Sequence, residues 1–519
     1  MAAVRSGQAV PGGAVGHICY IRPTDRHTVI TTIRNPGDSR RQYLLGGYKL
    51  PAHSPTSNVE AFTGDWVDEV LLAGPDENVC LHLGAAITRG ELRRAVRERE
   101  EALRGQGIRA GGSVVLRLPP SYAYVANLLA CMRVGAQVAL LDHRLTDFEA
   151  ERAYERLRPQ LVVLPSAPVS GALRAYHEVT EAFRRYDGDP APTPHAVLQL
   201  SSGSTGPSKV IGRTSTSLVA EVDRYTQMSG VPLRDERVVL LASMVHVLGL
   251  VGGLLYGLNA GIDLVLPERM TVDAITDAIA AGDAPTTVIG VPFHIELLAS
   301  ADNPPKLPGF TGMTTGGELV RADVRQRFTD RYPVRLGNMY GMTEVGVIAT
   351  DLYGEHRPAV RPAPGIDVRE EDGELLVGMA QTPYVGLVDP TRWSEGWLHT
   401  KDAGTVEPDT GLVTIHGRLD SQVSIGGLKV DMTEVEHVIA GLDGVAAAVL
   451  VFTGAIEAYV VLDKPEAKQT VDAALAERVA AYKRPRVIHY VDQLPRTVTG
   501  KLVRNASALA SSATAGSAP

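Results

Sequence analysis

Apolar runs alternate with amphipathic stretches along the first two thirds of the chain. The apolar residues of Tyr122–Val134 have helical spacing. The other apolar runs in this part are Val114–Leu118, Gln137–Leu141, Leu161–Leu164, Val197–Leu200, Val238–Leu241, Leu254–Leu258, Ile262–Leu266, Ala274–Ala281 and Thr287–Gly290. Alternation of strand-like and helix-like segments predicts an α/β fold with a largely parallel sheet.

The pattern changes after about Gly365, where short strand-like pieces alternate with turn signals. After Asp431 a second α/β pattern follows, with predicted helices Thr433–Ala440 and Val471–Ala481 and predicted strands Ala446–Phe452, Ala458–Leu462 and Arg486–Tyr490. This length suits a small α+β domain. The predicted organisation is a large multi-subdomain α/β domain (1–417, with 1–16 frayed), a hinge (418–421), a small mobile domain (422–505) and a disordered tail (506–519).

The composition is that of a globular protein, with 44% hydrophobic and 21% charged residues among 519. A net charge of −8 argues against nucleic acid or an anionic membrane as a partner. No run approaches the roughly 18 apolar residues of a membrane span, and no secretory signal pattern is seen, so we expect a cytoplasmic protein. Cys19, Cys80 and Cys131 lie far apart and predict neither a metal site nor a disulfide framework.

One segment has the composition of a phosphate-binding loop. In Leu200–Lys209 a strand-like run is followed by hydroxyl residues and glycines, with Lys209 at the end. Glycines let backbone N–H groups approach phosphate oxygens, while Ser, Thr and Lys add donors and a positive charge. The Gly-Lys-Ser/Thr order of a Walker A loop is absent. A flexible surface loop is the alternative.

Two further segments place a carboxylate near glycines. In Gly337–Glu344, Glu344 follows a tight turn and can hold a hard cation such as Mg²⁺, while Tyr340 can stack on a base or a sugar. In Gly396–Gly404, Asp402 follows a strand-like run and can accept two hydroxyl hydrogen bonds, as a ribose requires. The alternatives are a surface or capping carboxylate at Glu344 and a turn-forming residue at Asp402.

The last two segments lie at the predicted domain boundary and near the end of the small domain. Gly417–Val430 begins with Arg418 and Asp420, which are placed to form a hinge. Pro495–Leu502 carries Lys501 directly after a glycine. Taken alone, such a lysine is a solvated surface charge.

Together these five segments resemble the adenylate-forming superfamily, which includes acyl- and aryl-CoA ligases, adenylation domains of nonribosomal peptide synthetases and luciferase-like enzymes. They occur in the family order with family-like separations, and the resemblance extends from about Leu92 to Leu502. It implies an enzyme that uses ATP and Mg²⁺ to join a carboxylic acid to AMP, releases pyrophosphate, and then passes the acyl group to an acceptor.

The resemblance also implies a role for each matching residue. Lys501 would bridge the acid carboxylate and the α-phosphate, Asp420 would be the hinge on which the small domain turns, and His246 would take the aromatic gate position as a catalytic residue. The ATP phosphates would be held by Ser202, Gly203, Ser204, Thr205, Gly206 and Lys209, the adenine by Gly316, Gly317, Glu318, Asn338 and Tyr340, the ribose by Asp402 and Arg418, and Mg²⁺ by Glu344 and Thr343.

The substrate class follows from the residue after the gate. Amino-acid-activating relatives usually carry Asp there to bind the α-ammonium group, whereas this chain has Val247. An ammonium group against an apolar wall is unfavourable, so we expect an aryl or medium aliphatic acid that lacks an α-amino group. The stretch Lys209–Thr214 is similar to that of aryl-acid-activating members. The predicted pocket residues are His246, Val247, Val251, Gly316, Met339 and Val347.

The chain departs from the family pattern at two places. Pro207 comes one position early and Val210 replaces the glycine that usually follows the loop lysine, which leaves the role of Lys209 open. Lys429 stands where relatives often carry Arg or Gln, at a position that faces the acceptor. Three alternatives therefore remain: a thiol acceptor (CoA or a carrier-protein phosphopantetheine), an amine acceptor, or a non-catalytic nucleotide-binding relative. Residues 17–75 match no motif.

Overall fold

The computed structural model describes residues 64–169, 174–201, 209–301, 304–317, 320, 322–419 and 422–495, together with residues 504, 506, 509 and 510 and the backbone of two N-terminal strands. Met1–Val59 and Glu60–Pro519 form two separate compact units. Within the first unit, strands His17–Tyr20 and Val29–Thr32 pair antiparallel. The predicted frayed segment 1–16 lies outside the described residues.

A six-stranded sheet uses the first of the predicted apolar runs. Its four central strands are parallel and its two edge strands are antiparallel to their neighbours. In spatial order the strands are Lys209–Arg213, Val197–Ser201, Gln137–Leu140, Ser113–Leu116, Leu161–Pro165 and Glu181–Arg185.

A nine-stranded sheet uses the later runs and carries most of the parallel pairing that the sequence predicts. Six consecutive strands in it are parallel. In spatial order the strands are Arg361–Pro362, Gly346–Asp351, Arg335–Met342, Phe310–Gly316, Thr286–Gly290, Arg237–Leu240, Asp263–Leu266, Val79–Leu83 and Ala85–Thr88.

One core joins the two sheets through a helix that is apolar all round. Helix Tyr122–Val134 matches the predicted bounds, begins at the cap residue Ser121, and buries Tyr124 and Leu128 against residues of both sheets. The other helices of this region are Arg89–Gly105, Asp147–Leu157, Ser215–Gln227, Tyr256–Ala260, Val272–Ala280, Pro292–Ala299 and Ala322–Arg331, with π-helical segments at Val67–Leu71 and Leu248–Leu255.

A third, antiparallel sheet follows Gly365, where the sequence pattern changes. Its strands are Val368–Glu371, Glu374–Gly378, Trp393–Ser394, Trp397–Val406 and Val413–Arg418. The strand Trp397–Val406 is the longest of these and pairs with three neighbours. Its central residues therefore lie between other strands instead of at a chain turn.

The small C-terminal part has the predicted α+β content and its own core. The hairpin Gln422–Ile425 and Leu428–Asp431 precedes helix Met432–Ala440 and the three strands Val445–Phe452, Ile456–Leu462 and Val487–Tyr490. Helix Lys468–Arg478 and 3-10 turns at Pro465–Ala467 and Ala481–Lys483 complete it. The predicted fold class, a large α/β domain with a small α+β domain, is confirmed, while the exact domain and hinge boundaries stay predictions.

The prediction of a disordered tail over 506–519 is wrong at its beginning. Ala506, Leu509 and Ala510 are helical, and Leu509 is fully buried against Val449 and Tyr459. The alanine-rich composition suggested a solvated tail, but one leucine at this position finds an apolar partner surface. Among the described helices, none has both the length and the apolar character that crossing a membrane would require.

A buried ion pair fixes the strand that follows the phosphate-loop segment. The Arg213 guanidinium donates to Glu221 Oε2 at 2.8 Å, and both side chains are almost fully buried. Glu221 Oε1 also accepts a hydrogen bond from the backbone N–H of Val347 at 3.0 Å. The pair thereby ties strand Lys209–Arg213 and helix Ser215–Gln227 to the nine-stranded sheet.

We predict that Glu221→Ala lowers the free energy of unfolding by about 3–5 kcal/mol, because it leaves the Arg213 charge buried without its partner. Urea unfolding followed by circular dichroism measures the change. The matched control is Glu371→Ala, which removes the exposed pair with Arg369 and is expected to cost less than about 1 kcal/mol. Equal small losses in both variants would contradict the structural role of the buried pair.

Candidate active site

Two neighbouring parallel strands bring separated sequence segments to one edge of the nine-stranded sheet. Strands Phe310–Gly316 and Arg335–Met342 pair in parallel, with Gly316 opposite Met339. A Cβ atom at Gly316 would lie 2.5 Å from the Met339 carbonyl oxygen, so only glycine allows this approach. The carboxyl ends of parallel strands commonly form ligand sites, and here they place Gly317 beside the segment that contains Asn338 and Tyr340.

Asp402 is the centre of a hydrogen-bonded group at this edge. Its Oδ2 accepts from the Tyr340 hydroxyl at 2.7 Å and its Oδ1 accepts from Arg418 Nη1 at 3.0 Å. The sequence placed Asp402 after a strand, and this is wrong: it lies inside strand Trp397–Val406, directly opposite Arg418 on the neighbouring strand. Strand pairing, instead of a turn, brings the carboxylate and the guanidinium together.

Burial changes the protonation equilibria of this group. It raises the pKa of the Asp402 carboxyl group above its usual range, although the positive charge of Arg418 and the hydrogen bond from Tyr340 act in the opposite direction. Burial also raises the pKa of the Tyr340 hydroxyl, and the neighbouring Asp402 carboxylate adds to this. Tyr340 therefore stays a hydrogen-bond donor, and a ligand hydroxyl can share the carboxylate with it.

Glu344 is a second buried carboxylate, in the turn after strand Arg335–Met342. Its side chain is 7% exposed, and its Oε1 accepts a hydrogen bond from the Tyr384 hydroxyl at 3.1 Å. Burial raises the pKa of the Glu344 carboxyl group, while the positive charge of Lys209 and the Tyr384 hydrogen bond lower it. A cation bound beside this side chain would favour its ionised form.

These groups line a cavity of about 1200 Å³. Among its lining residues are Lys209, His246, Gly317, Asn338, Met339, Tyr340, Thr343, Glu344, Asp402 and Arg418. A second cavity, of about 1080 Å³, is lined by His246, Val247, Gly316, Met339 and Val347 among others. His246 and Met339 belong to both walls, so the two cavities meet at the predicted gate.

His246 carries an unmet hydrogen-bonding group at this junction. Within the described part of the chain its Nε2 atom is buried and has no hydrogen-bond partner. Burial lowers the pKa of the His246 imidazole, although the Asp142 carboxylate raises it. A neutral imidazole nitrogen at the wall of both cavities suits contact with a bound ligand.

The structure corrects the prediction for one pocket residue. Val251 is 1% exposed, packs in the main core, and lines neither of the two cavities. It belongs to the π-helical segment Leu248–Leu255, in which the i→i+5 hydrogen-bonding pattern changes which residues share a face with Val247. Tyr225 takes part in the pocket wall instead.

Tyr225 closes the second cavity beside Met339. Its hydroxyl donates to the Met339 sulfur at 3.1 Å, and its ring stacks on Tyr256 with centroids 5.2 Å apart. Tyr225, Tyr384 and Thr400 were not predicted as site residues. The Thr400 hydroxyl donates to the Leu375 carbonyl oxygen and ties its strand in place beside Asp402. Tyr225 and Tyr384 lie outside the five chemical segments, so no local signal marks them, whereas Thr400 lies within Gly396–Gly404.

The hairpin of the small C-terminal part faces the same site. Lys429 Nζ donates to the Gly317 carbonyl oxygen at 2.6 Å, and the turn Ile425–Leu428 lines the second cavity. A Cβ atom at Gly427 would lie 2.7 Å from Val291, which shows how closely the turn packs. Lys429, predicted as the acceptor-facing residue, thus reaches the edge that holds Gly316 and Gly317.

Several predicted site residues lie outside the described residues. They are Ser202, Gly203, Ser204, Thr205 and Gly206 of the phosphate loop, Glu318 of the adenine segment, the hinge residue Asp420, and Lys501. The strands on either side of the phosphate loop are described: Val197–Ser201 pairs antiparallel with Lys209–Arg213.

Comparison with known proteins matches two family models. The model described as "AMP-binding enzyme" matches residues 68–378, which is more than half of the chain. The model described as "AMP-binding enzyme C-terminal domain" matches residues 434–501. One family model therefore matches the large part of the chain and the other matches the small part.

Curated relatives and solved structures agree with this match. A p-hydroxybenzoic acid–AMP ligase of Mycobacterium tuberculosis is 27% identical over 84% of this chain, which spans 66% of that relative's length. A feruloyl-CoA synthase of Amycolatopsis is 27% identical over 85% of this chain and 97% of its own length. The structure of o-succinylbenzoate CoA synthetase from Bacillus subtilis has a TM-score of 0.72, 21% identity, and covers 85% of this chain and 97% of its own. With two family models matched in order, the chain belongs to the AMP-binding enzyme family, the adenylate-forming superfamily that its motifs predicted.

Proposed function

We propose that this protein is an ATP-dependent ligase that activates a carboxylic acid as an acyl-AMP, releases pyrophosphate, and transfers the acyl group to a thiol. One observation carries the proposal. A polar cavity with Tyr340, Asp402, Arg418 and Glu344 meets a second cavity, lined in part by apolar residues, at the shared gate residue His246. Nucleotide and acid bound in these two spaces would meet at that junction.

The polar cavity has the donors and acceptors that a nucleotide needs. Asp402 would accept hydrogen bonds from the ribose hydroxyls, with Arg418 beside it for the ribose or a phosphate. Asn338, Tyr340, Gly316, Gly317 and Glu318 would frame the adenine, and Lys209 with the loop 202–206 would hold the phosphates. Lys501 would bridge the acid carboxylate and the α-phosphate, so that two anions can approach in line.

Glu344 fits a magnesium site in which the protein and the bound phosphates both supply ligands to the metal. Within the described residues no group of three or more His, Cys, Asp or Glu side chains could hold a metal ion. Mg²⁺ is usually bound by one or two carboxylates together with substrate phosphates, and the buried Glu344, with Thr343 next to it, matches that requirement. When bound, Mg²⁺ would neutralise charge on the phosphates during transfer.

The second cavity favours an acid without an α-amino group. Val247 and Val347 line it, and the nearby Glu221 carboxylate is already held by Arg213 and by the Val347 N–H. Asp142, which lines both cavities, is held by Arg144 through two hydrogen bonds at 2.8 and 2.6 Å. Asp147, which also lines the second cavity, accepts from Arg117 at 3.0 Å. Each described carboxylate of this wall therefore already has a cationic partner, while an aryl or medium aliphatic chain would contact Val247, Met339 and Tyr225.

A thiol acceptor is supported by the relatives named as CoA ligases and by the hairpin at the acid site. Lys429 and the turn before it line the second cavity, where an incoming acceptor would reach the acyl group. CoA and a carrier-protein phosphopantetheine present the same thiol, and an amine remains the alternative acceptor. We expect the enzyme to work in the cytoplasm, where ATP and these acceptors are available.

The direct test combines acids and acceptors in one assay. The protein, ATP and Mg²⁺ are mixed with aryl acids, medium aliphatic acids and proteinogenic amino acids, and then with CoA, a phosphopantetheinylated carrier protein or simple amines. We expect pyrophosphate release with an acid lacking an α-amino group and a thioester product detected by mass spectrometry. Turnover of amino acids alone would contradict the acid class, and an amide product alone would replace the thiol acceptor with an amine.

We predict that Glu344→Gln lowers acyl-AMP formation about 100-fold or more, because the carboxylate that positions Mg²⁺ is lost. The same variant should be more stable at pH 7 without nucleotide. Burial raises the pKa of Glu344, so the protonated form favours folding below the ordinary pKa and that contribution is lost as the pH rises. Thermal unfolding at pH 7 and near pH 4 measures this, and the difference should vanish at the lower pH.

Glu101→Gln is the matched control for this prediction. Glu101 is exposed on helix Arg89–Gly105, so its neutralisation should change neither acyl-AMP formation nor the stability difference between the two pH values. Near-normal pyrophosphate exchange in Glu344→Gln would remove Glu344 from its proposed role.

A further inference from the structure

An ion pair joins the large domain to the small C-terminal part in the wall of the larger cavity. Lys483 Nζ donates to Glu149 Oε1 at 2.8 Å, and each side chain is only 11% exposed. The two residues are 334 positions apart in sequence. Opposite charges buried at such a contact favour the one arrangement that pairs them and penalise any arrangement that separates them.

The large-domain partner is held in place before Lys483 reaches it. Helix Asp147–Leu157 begins with a capping box in which Glu149 Oε2 accepts from the backbone N–H of Thr146 at 3.0 Å and from its hydroxyl at 3.1 Å. This leaves Oε1 directed to the Lys483 ammonium group. A carboxylate fixed by its own helix cap loses little side-chain freedom when it pairs.

The small-part partner is surrounded by further contacts to the same helix and to the turn before it. Tyr482, next to Lys483, lies below the Arg144 guanidinium at 5.6 Å, and the Arg478 guanidinium lies 5.8 Å from the Phe148 ring. Burial lowers the pKa of Lys483, but the carboxylates of Glu434 and Glu149 outweigh it and raise the pKa above the usual range. Lys483 is therefore charged at neutral pH.

The Glu149–Lys483 contact occurs in the same arrangement of the two parts in which the hairpin that carries Lys429 faces the second cavity. Lys429 donates to the Gly317 carbonyl oxygen, and the turn at Gly427 packs against Val291, as described above. Lys483 and Lys429 belong to the same small part of the chain, so fixing one helps to fix the other.

We propose that Glu149 and Lys483 are positioning residues that select this arrangement, and that they serve acyl transfer and not acyl-AMP formation. This inference rests on the proposed function, since it assigns the pair to the second of two half-reactions. Both residues line the larger cavity, and the pair acts through the placement of the hairpin that carries Lys429.

Two single variants and their combination test the pair. Glu149→Gln keeps the capping box, because Gln can replace Glu there, but it removes the charge. Lys483→Met keeps the length of the side chain and removes the ammonium group. We expect each to lower the single-turnover rate of acyl transfer from preformed acyl-AMP to CoA about tenfold or more, with acyl-AMP formation changed less than about twofold.

The double variant and two controls separate pairing from general damage. The double variant should transfer no more slowly than the worse single variant, since both remove one interaction. Glu151→Gln, on the same helix as Glu149, removes an exposed pair with Arg184, and Lys464→Met removes an exposed pair with Asp443. Neither control should lower transfer. Equal losses in both half-reactions, additive losses in the double variant, or no loss in transfer would overturn the proposal.

A distance measurement tests the arrangement of the large and small parts independently of catalysis. Spin labels are placed at the exposed positions Glu98 and Glu477, each replaced by Cys in a Cys19→Ser background, and their separation is measured by pulsed electron paramagnetic resonance. Glu149→Gln and Lys483→Met should broaden or shift the distance distribution, whereas Lys464→Met should not. An unchanged distribution overturns the pair as a positioning device. A protein that forms no acyl-AMP at all contradicts the proposed function instead, and the distances still test the pair.

Discussion

The buried carboxylate of Asp402 is the contact on which the geometry of the site depends. It joins Tyr340, from the edge of the nine-stranded sheet, to Arg418, the last residue of the five-stranded sheet's final strand. We expect the hinge to begin at Arg418, so the same contact would also fix where the small part begins. A change in this group would alter the nucleotide cavity and the starting point of the hairpin together.

Electrostatics explains why the site contains both buried carboxylates and cations. An acid and ATP are both anionic, and their reaction requires fixed positive charge and oriented donors that cost no reorganisation during transfer. Lys209, Arg418 and Lys429 lie around the polar cavity. Burial there raises the pKa values of the Asp402 and Glu344 carboxyl groups. Arg418 compensates the charge of Asp402 within the site, and a cation bound at Glu344 would compensate that carboxylate.

Much of this fold follows from periodicity and end signals. Helix Tyr122–Val134 was predicted to the residue from the helical spacing of its apolar residues. The structure adds a serine cap at Ser121 and a left-handed glycine at Gly135. The parallel strands were predicted from continuous apolar runs, and the five chemical segments from glycines, hydroxyls and isolated charges. The family matches confirm the superfamily that those segments indicated.

Other features depend on contacts between distant segments and leave no local pattern. Asp402 was predicted to follow a strand-like run, yet pairing with Arg418 places it inside a strand. Val251 was predicted as a pocket residue, but it lies in a π-helical segment and packs in the core. Nothing in the sequence marks Tyr384, Glu149 or Lys483. Only the tertiary fold brings Tyr384 to Glu344 and Glu149 to Lys483.

The central claim is that a carboxylate oxygen attacks the α-phosphorus of ATP, and isotope transfer tests it most directly. An accepted acid labelled with ¹⁸O in its carboxylate is turned over with ATP and acceptor, and the nucleotide and phosphate products are analysed by mass spectrometry. The account predicts AMP that carries one ¹⁸O atom, together with unlabelled pyrophosphate. Formation of ADP with ¹⁸O in inorganic phosphate, or of AMP without the label, would contradict it.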